Sequence, residues 1–186
     1  MTDVALPRPR HVTAIAAALS ATAGMLLSTG AFTLIRKHDA APPAATAVAQ
    51  KPFTVSVPHG WQPVPRAELA KLPSRPIAAF RRDDRHGLVM VRRTAPFSAT
   101  GTELARTVGS QLRRRFPGFK PVSARVVRIR AGRAFTYTFV RRPRATVQSL
   151  TLAGVRGRAY AIDAVVPAGA PDAARQVGAI IASFGA

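Results

Sequence analysis

The chain contains no cysteine. That excludes disulfides, a lipid-bearing lipobox cysteine and thiolate metal sites, and leaves the compartment open. Acidic residues are also scarce: 8 Asp and Glu stand against 28 Lys and Arg, a formal charge of +20. Aromatic residues make up 6% with a single Trp, and no RNP-like aromatic motif occurs, which argues against nucleic acid as a partner. The four histidines, His11, His38, His59 and His86, show no i, i+4 pairing and have no thiolate companions, so no metal-ligand spacing emerges. No Gly-rich phosphate loop exists either; Gly118 and Gly132 are isolated turn residues.

Charged residues are missing altogether from one long stretch. Val12 to Ile35 holds no Asp, Glu, Lys, Arg or His, with Arg8 and Arg10 before it and Arg36 and Lys37 after. As a helix it would be about 36 Å long, enough to cross a hydrocarbon core of about 30 Å. The expectation is one N-terminal transmembrane helix, a signal-anchor. The competing readings are a cleaved secretory signal and a buried helix of a soluble protein. Ala-x-Ala triplets do occur downstream, at Ala45-Thr46-Ala47 and Ala47-Val48-Ala49. Arg36, Lys37, His38 and Asp39 separate them from the apolar run, whereas a signal sequence is cut close behind a shorter one.

Flanking charge is nearly balanced, so orientation rests on the composition of the downstream segment. Residues 36–52 include Ala-Ala-Pro-Pro-Ala-Ala-Thr-Ala, the composition of a stiff linker that spaces a domain from a surface. The organisation expected is a cytoplasmic N-terminus (1–11), a membrane helix (12–35), an Ala/Pro-rich linker (36–52) and an extracytoplasmic domain (53–186). The protein would then be a single-pass plasma-membrane protein. Ser20, Gly24 and Ser28 form a small-xxx-small series of the kind that lets membrane helices approach closely.

From Lys51 onward there are 24 Lys and Arg against 6 Asp and Glu, and 21 of those cations are Arg. Arg113-Arg114-Arg115 and Arg141-Arg142-Pro143-Arg144 are the densest clusters. Arg113, Arg114, Arg115, Arg141, Arg142 and Arg144 are accordingly the candidate anion-binding patch. Anionic lipid, an acidic envelope polymer or nucleic acid would answer such a field, and an envelope protein is a further candidate partner. Each Arg near an anionic surface adds about 1 kcal/mol, screened within a Debye length of about 8 Å at physiological salt. An Arg-rich chain with abundant Ala, Gly and Pro is also what a GC-rich genome produces, and the sequence leaves that alternative open.

The remaining residues suit one domain. Phe53, Val55 and Val57 alternate with Thr54 and Ser56, which predicts a strand closed by Pro58-His59-Gly60. A short helix is expected within Pro65 to Leu72. Strands over Ile77–Arg82 and Leu88–Thr94 flank the polar loop Asp83-Asp84-Arg85-His86-Gly87. Thr100 and Glu103 form a capping box, and Leu104, Val108, Leu112 and Phe116 give one apolar helix face that ends at Pro117-Gly118. Four β segments come next: Ala124–Arg130, Ala134–Arg141, Thr146–Val155 and Arg158–Val166. Their short links imply an antiparallel meander. In the second, Phe135, Tyr137 and Phe139 share a face and Thr136, Thr138 and Val140 take the other. Asp172 to Phe184 reads as a closing helix with Ala173, Val177, Ile180, Ile181 and Phe184 as its stripe. The fold class is α+β, an antiparallel sheet with helices packed on it.

Several motifs resemble one family. Phe53-Thr54-Val55-Ser56-Val57-Pro58-His59-Gly60-Trp61 resembles the opening of PsbP/Mog-like domains, especially envelope proteins of the LpqN and DcrB type. Gly132-Arg133-Ala134-Phe135, Gly157-Arg158-Ala159-Tyr160-Ala161-Ile162 and the terminal Ala182-Ser183-Phe184 fit the same pattern. The resemblance implies an α/β/α sandwich over Phe53 to Phe184 and no enzyme chemistry. The lipid-anchoring cysteine of the lipoprotein members is missing, and an apolar segment stands in its place. Partners within the family range from photosystem subunits to a Ran-binding protein, so function does not transfer with the fold.

No catalytic, cofactor-binding or metal-ligating residue is nominated. Glu103 and Asp172 sit at helix starts, Glu68 on a short helix, and Asp83 and Asp84 in a turn. Asp163, flanked mid-strand by Ile162 and Ala164, is expected to pair with an Arg on a neighbouring strand. Trp61, next to Pro63 and Pro65, is expected to lid the core. The function expected is a non-enzymatic binding or accessory module of the cell envelope, with no cofactor. An enzyme with an unrecognised site and a basic nucleic-acid-binding domain are the alternatives. Partner identity and oligomeric state are not encoded in any motif.

Overall fold

The computed structural model describes residues 45–50, 53–97, 101–141 and 145–185. In chain order the elements are β1 (Ala45–Gln50), β2 (Phe53–Pro58), β3 (Trp61–Pro63), α1 (Arg66–Leu69), β4 (Ala78–Arg82), β5 (Leu88–Thr94), α2 (Gly101–Arg115), β6 (Phe119–Ile129), β7 (Gly132–Arg141), β8 (Thr146–Val155), β9 (Arg158–Pro167) and α3 (Pro171–Ser183). Seven strands make one antiparallel sheet in the order β3-β4-β5-β9-β8-β7-β6, and β1 pairs with β2 in a separate antiparallel ribbon.

Strand alternation divides the apolar residues between the two faces of the large sheet. On one face Phe80, Val89, Val91, Tyr160 and Ile162 pack with Phe53, Val55 and Val57 of β2 and with Val177, Ile180 and Ile181 of α3. Gly185 bridges Thr54, so β2 and the end of α3 lie side by side on this face. On the other face Leu104, Val108, Leu112 and Phe116 pack on Phe135, Tyr137, Phe139, Leu150 and Leu152. A smaller cluster on the same face, Val64, Ala79 and Met90, is backed by Leu69 and Leu72 near α1. The sheet is thus covered from both sides.

Turn chemistry fixes the register. Arg156 and Gly157 have φ of 48° and 71°, the left-handed pair that a two-residue hairpin needs, and Val155 faces Arg158 across it. Gly109 serves a close approach: a Cβ there would come within 2.9 Å of the Tyr137 hydroxyl, so its absence lets α2 settle onto the aromatic face. Trp61 is buried, with 4% of its surface exposed, and its Nε1 donates to Gln176 Oε1 at 2.8 Å. It lids the core as expected.

Three elements differ from the sequence-based expectations. The linker was expected to run through residue 52, but Ala45–Gln50 form β1, in register with β2 from Ala45 opposite Pro58 to Gln50 opposite Phe53. The backbone of β2 offers a free edge there, and pairing satisfies it. Strand β6 starts at Phe119 rather than Ala124, and its ladder shifts between Pro121 and Ser123. Proline is tolerated because β6 is an edge strand. The short helix shrinks to Arg66–Leu69.

The expected cytoplasmic segment, membrane helix, remaining linker (36–44) and Thr100 cap lie outside the described residues. Among the described residues no helix is long and apolar enough to cross a membrane.

Candidate functional site

The two faces of β7 set up a concavity among the described residues. Phe135, Tyr137 and Phe139 point toward α2, and Thr136 and Thr138 therefore point toward the α3 side. Aligned strands continue that polar stripe. Thr136 lies opposite Thr151, and their Oγ1 atoms are 2.9 Å apart in a buried hydrogen bond. Thr138 lies opposite Ser149, and Arg125 of β6 lies opposite Thr136. Helix α3 does not cover this region. Between its Val177, Gly178 and Ile181 and the sheet runs an open groove of about 270 Å³, floored by Thr136, Thr138, Val147, Ser149 and Val166 and bordered by Arg125 and Arg128. The volume is close to the small end of ligand pockets, about 300–1,000 Å³.

The sequence-nominated arginines lie elsewhere, at the C-terminal end of α2. Arg113, Arg114 and Arg115 occupy its last turn, where the helix dipole favours cations, and all three are exposed. Phe116 comes directly after, and the Arg141 guanidinium carbon stands 4.9 Å from its ring centroid. Arg141 thereby joins the same corner as Arg113–Arg115. Arg142 and Arg144 lie outside the described residues. Burial pushes the Tyr137 hydroxyl up from its ordinary pKa, and nearby Arg113 pulls against the shift.

Four carboxylates pair with arginines away from this corner. Glu68 pairs with Arg81 at 3.1 Å, Asp84 with Arg82 at 3.4 Å, Asp163 with Arg92 and Asp172 with Arg175. Among the described residues none of Arg113, Arg114 and Arg115 is in an ion pair. Arg113, Arg114 and Arg115 are thus positive charge without a carboxylate beside it.

Asp163 has the partner expected of it, and that partner is Arg92 on β5. The pair lies on the α2 face, in the seam between the cluster under α2 and the one near α1. Burial raises the Asp163 pKa from 3.8 to about 6, opposed by the charge and hydrogen bond of Arg92. The cavity touching Asp163 measures about 10 Å³, room for about one water and no substrate. Asp84 Oδ1 accepts from the His86 backbone N–H at 2.8 Å, the closure of a solvated turn. Among the described residues no group of three or more His, Cys, Asp or Glu gathers to hold a metal ion.

The topology has parallels among solved structures. Cyanobacterial PsbP from Synechocystis is 12% identical, with a TM-score of 0.54 over 81% of this chain and 97% of that one. The chain has the PsbP/Mog-like fold. The Ran-binding protein Mog1p of Saccharomyces cerevisiae is 12% identical, with a TM-score of 0.49 over 76% of this chain and 95% of that one. LpqN of Mycobacterium tuberculosis, described as involved in cell envelope biogenesis, is 10% identical, with a TM-score of 0.46 over 76% of this chain and 90% of that one. No family model matches the sequence, and no curated protein matches it significantly. Likeness at such identities speaks to the fold alone.

The groove is what residue-by-residue reading missed. The Thr136–Thr138 alternation was visible, but its continuation through Ser149 and Arg125 depends on register between strands distant in sequence.

Proposed function

We propose that the protein is a non-enzymatic binding module of the cell envelope. Residues 12–35 hold it at the plasma membrane, and the folded domain stands on the extracytoplasmic side. The domain engages an anionic partner, lipid headgroup or envelope polymer, through the corner formed by Arg113, Arg114, Arg115 and Arg141. The observation that carries this reading is the lack of carboxylate partners for Arg113–Arg115 on an exposed helix end, in a domain whose acidic residues are mostly committed elsewhere. Cations held in the open at the favourable end of a helix dipole act on charges outside the fold.

The enzyme alternative has little to work with. The only strongly shifted carboxyl group among the described residues, Asp163, faces a guanidinium and a space of about one water.

Location is tested with the full-length protein in its own membrane. Carbonate washing leaves it in the pellet, and protease added to intact spheroplasts removes the domain. A mature N-terminus near Val48 or Gln50 would make the protein secreted, and full protection from protease would place the domain in the cytoplasm.

A further inference from the structure

We propose that the groove between α3 and the β6–β7–β8 part of the sheet is a binding site for a small amphiphilic anion, a carboxylate or phosphate head on a short aliphatic body. This inference is independent of the envelope reading and of the Arg113–Arg115 corner.

The two halves of the groove differ in chemistry. Val177 and Ile181 of α3, with Val147 and Val166 of the sheet, offer apolar surface to the body of a guest. The Thr138 and Ser149 hydroxyls lie opposite each other on the floor, and Arg125, opposite Thr136, stands on the same face of the edge strand. Among the described residues these three side chains engage in no hydrogen bond or ion pair with the rest of the protein. Carboxylates are absent from the lining, so nothing there repels an anion or neutralises the Arg125 guanidinium. Hydroxyl donors beside Arg favour a charged acceptor over a neutral one, because hydrogen bonds to ionised groups are about twice as strong. The apolar wall in turn rejects a bare inorganic anion as the best guest.

Gly178 supplies a means of testing this. It lies on the groove wall, and a Cβ at its position meets nothing within 4 Å. A side chain there fills the groove without displacing the core, and leaving glycine improves helix propensity.

The test uses full-length protein in nanodiscs of uncharged phosphatidylcholine, with hexanoate and hexyl phosphate as probes and hexanol and inorganic phosphate as controls. Ligand-observed saturation-transfer NMR reads contact and apparent Kd, and empty nanodiscs set the background. Saturable contact is expected for both anionic amphiphiles, with hexanol and inorganic phosphate each at least tenfold weaker. Gly178→Leu should abolish the contact, while Gly178→Ala, which leaves most of the groove open, should retain it. Arg125→Gln should weaken the anions at least tenfold and leave hexanol unchanged. Arg113→Gln, Arg114→Gln and Arg115→Gln together should have no effect here. Equal binding of hexanol, persistence of the contact in Gly178→Leu, or no contact above empty nanodiscs would each overturn the proposal.

Discussion

Arg92 and Asp163 form a two-pronged ion pair on adjacent strands: Nε of Arg92 donates to Asp163 Oδ2 at 3.0 Å, and Nη2 donates to the same oxygen. They fill a seam between two apolar clusters, with 7% and 13% of their side chains exposed. Removing one partner strands the other charge in the sheet. Asp163→Ala or Arg92→Ala should therefore destabilise the domain by about 3–5 kcal/mol, measured by denaturant unfolding. The double variant Arg92→Met, Asp163→Leu replaces the pair with apolar volume and should be neutral or stabilising. A double variant as unstable as the singles would contradict this.

The same pair gives a pH signature. Burial lifts the folded-state pKa of Asp163 to about 6, above its unfolded value. A raised folded pKa contributes stability that is fully present below the unfolded value and lost as pH rises through the folded one. Here the window runs from about pH 4 to pH 6. Wild type minus the Arg92→Met, Asp163→Leu variant should thus lose stability across that window and level off above it. A difference that grows with pH would mean that Arg92 outweighs desolvation.

Tyr160 is fully buried between Phe53 and Phe184, with ring centroids at 5.7 and 5.6 Å, and its hydroxyl has no hydrogen-bond partner among the described residues. An unsatisfied buried hydroxyl costs about 1–3 kcal/mol. Tyr160→Phe keeps the ring contacts and should raise Tm or leave it unchanged. A clear loss would reveal a partner for the hydroxyl.

Leu112 and Ile181 anchor α2 and α3 on opposite faces of the sheet. Truncation to Ala at either position should destabilise by about 2–5 kcal/mol. Losses near zero at both would mean that neither helix is held by its apolar stripe.

The helices and β2 were legible because each buries a single face, so the 3.6 and 2.0 periods of the chain match the burial observed in α2, α3 and β2. The Asp163 pairing could be inferred from a carboxylate between Ile162 and Ala164, but not that Arg92, 71 residues away, would supply the charge. Strand β1 was obscured by alanine, which is depleted in strands and here comes after an Ala-Pro stretch; only the free edge of β2 explains it. The groove was invisible for a similar reason. Its polar floor belongs to three strands and its wall to α3, and no local pattern joins them.

The proposed function is tested most directly by co-flotation of the domain, residues 45–186, with vesicles. Phosphatidylglycerol-rich vesicles should carry it and phosphatidylcholine vesicles should not, and rising salt should release it. Changing Arg113, Arg114 and Arg115 to Gln should lower the affinity well beyond an equal charge change at the scattered, exposed Arg66, Arg75 and Arg156, with both variants folded by the near-UV signal of Trp61. Equal losses from the two triple variants would contradict a dedicated anion-binding corner and make the arginine content a matter of bulk charge alone.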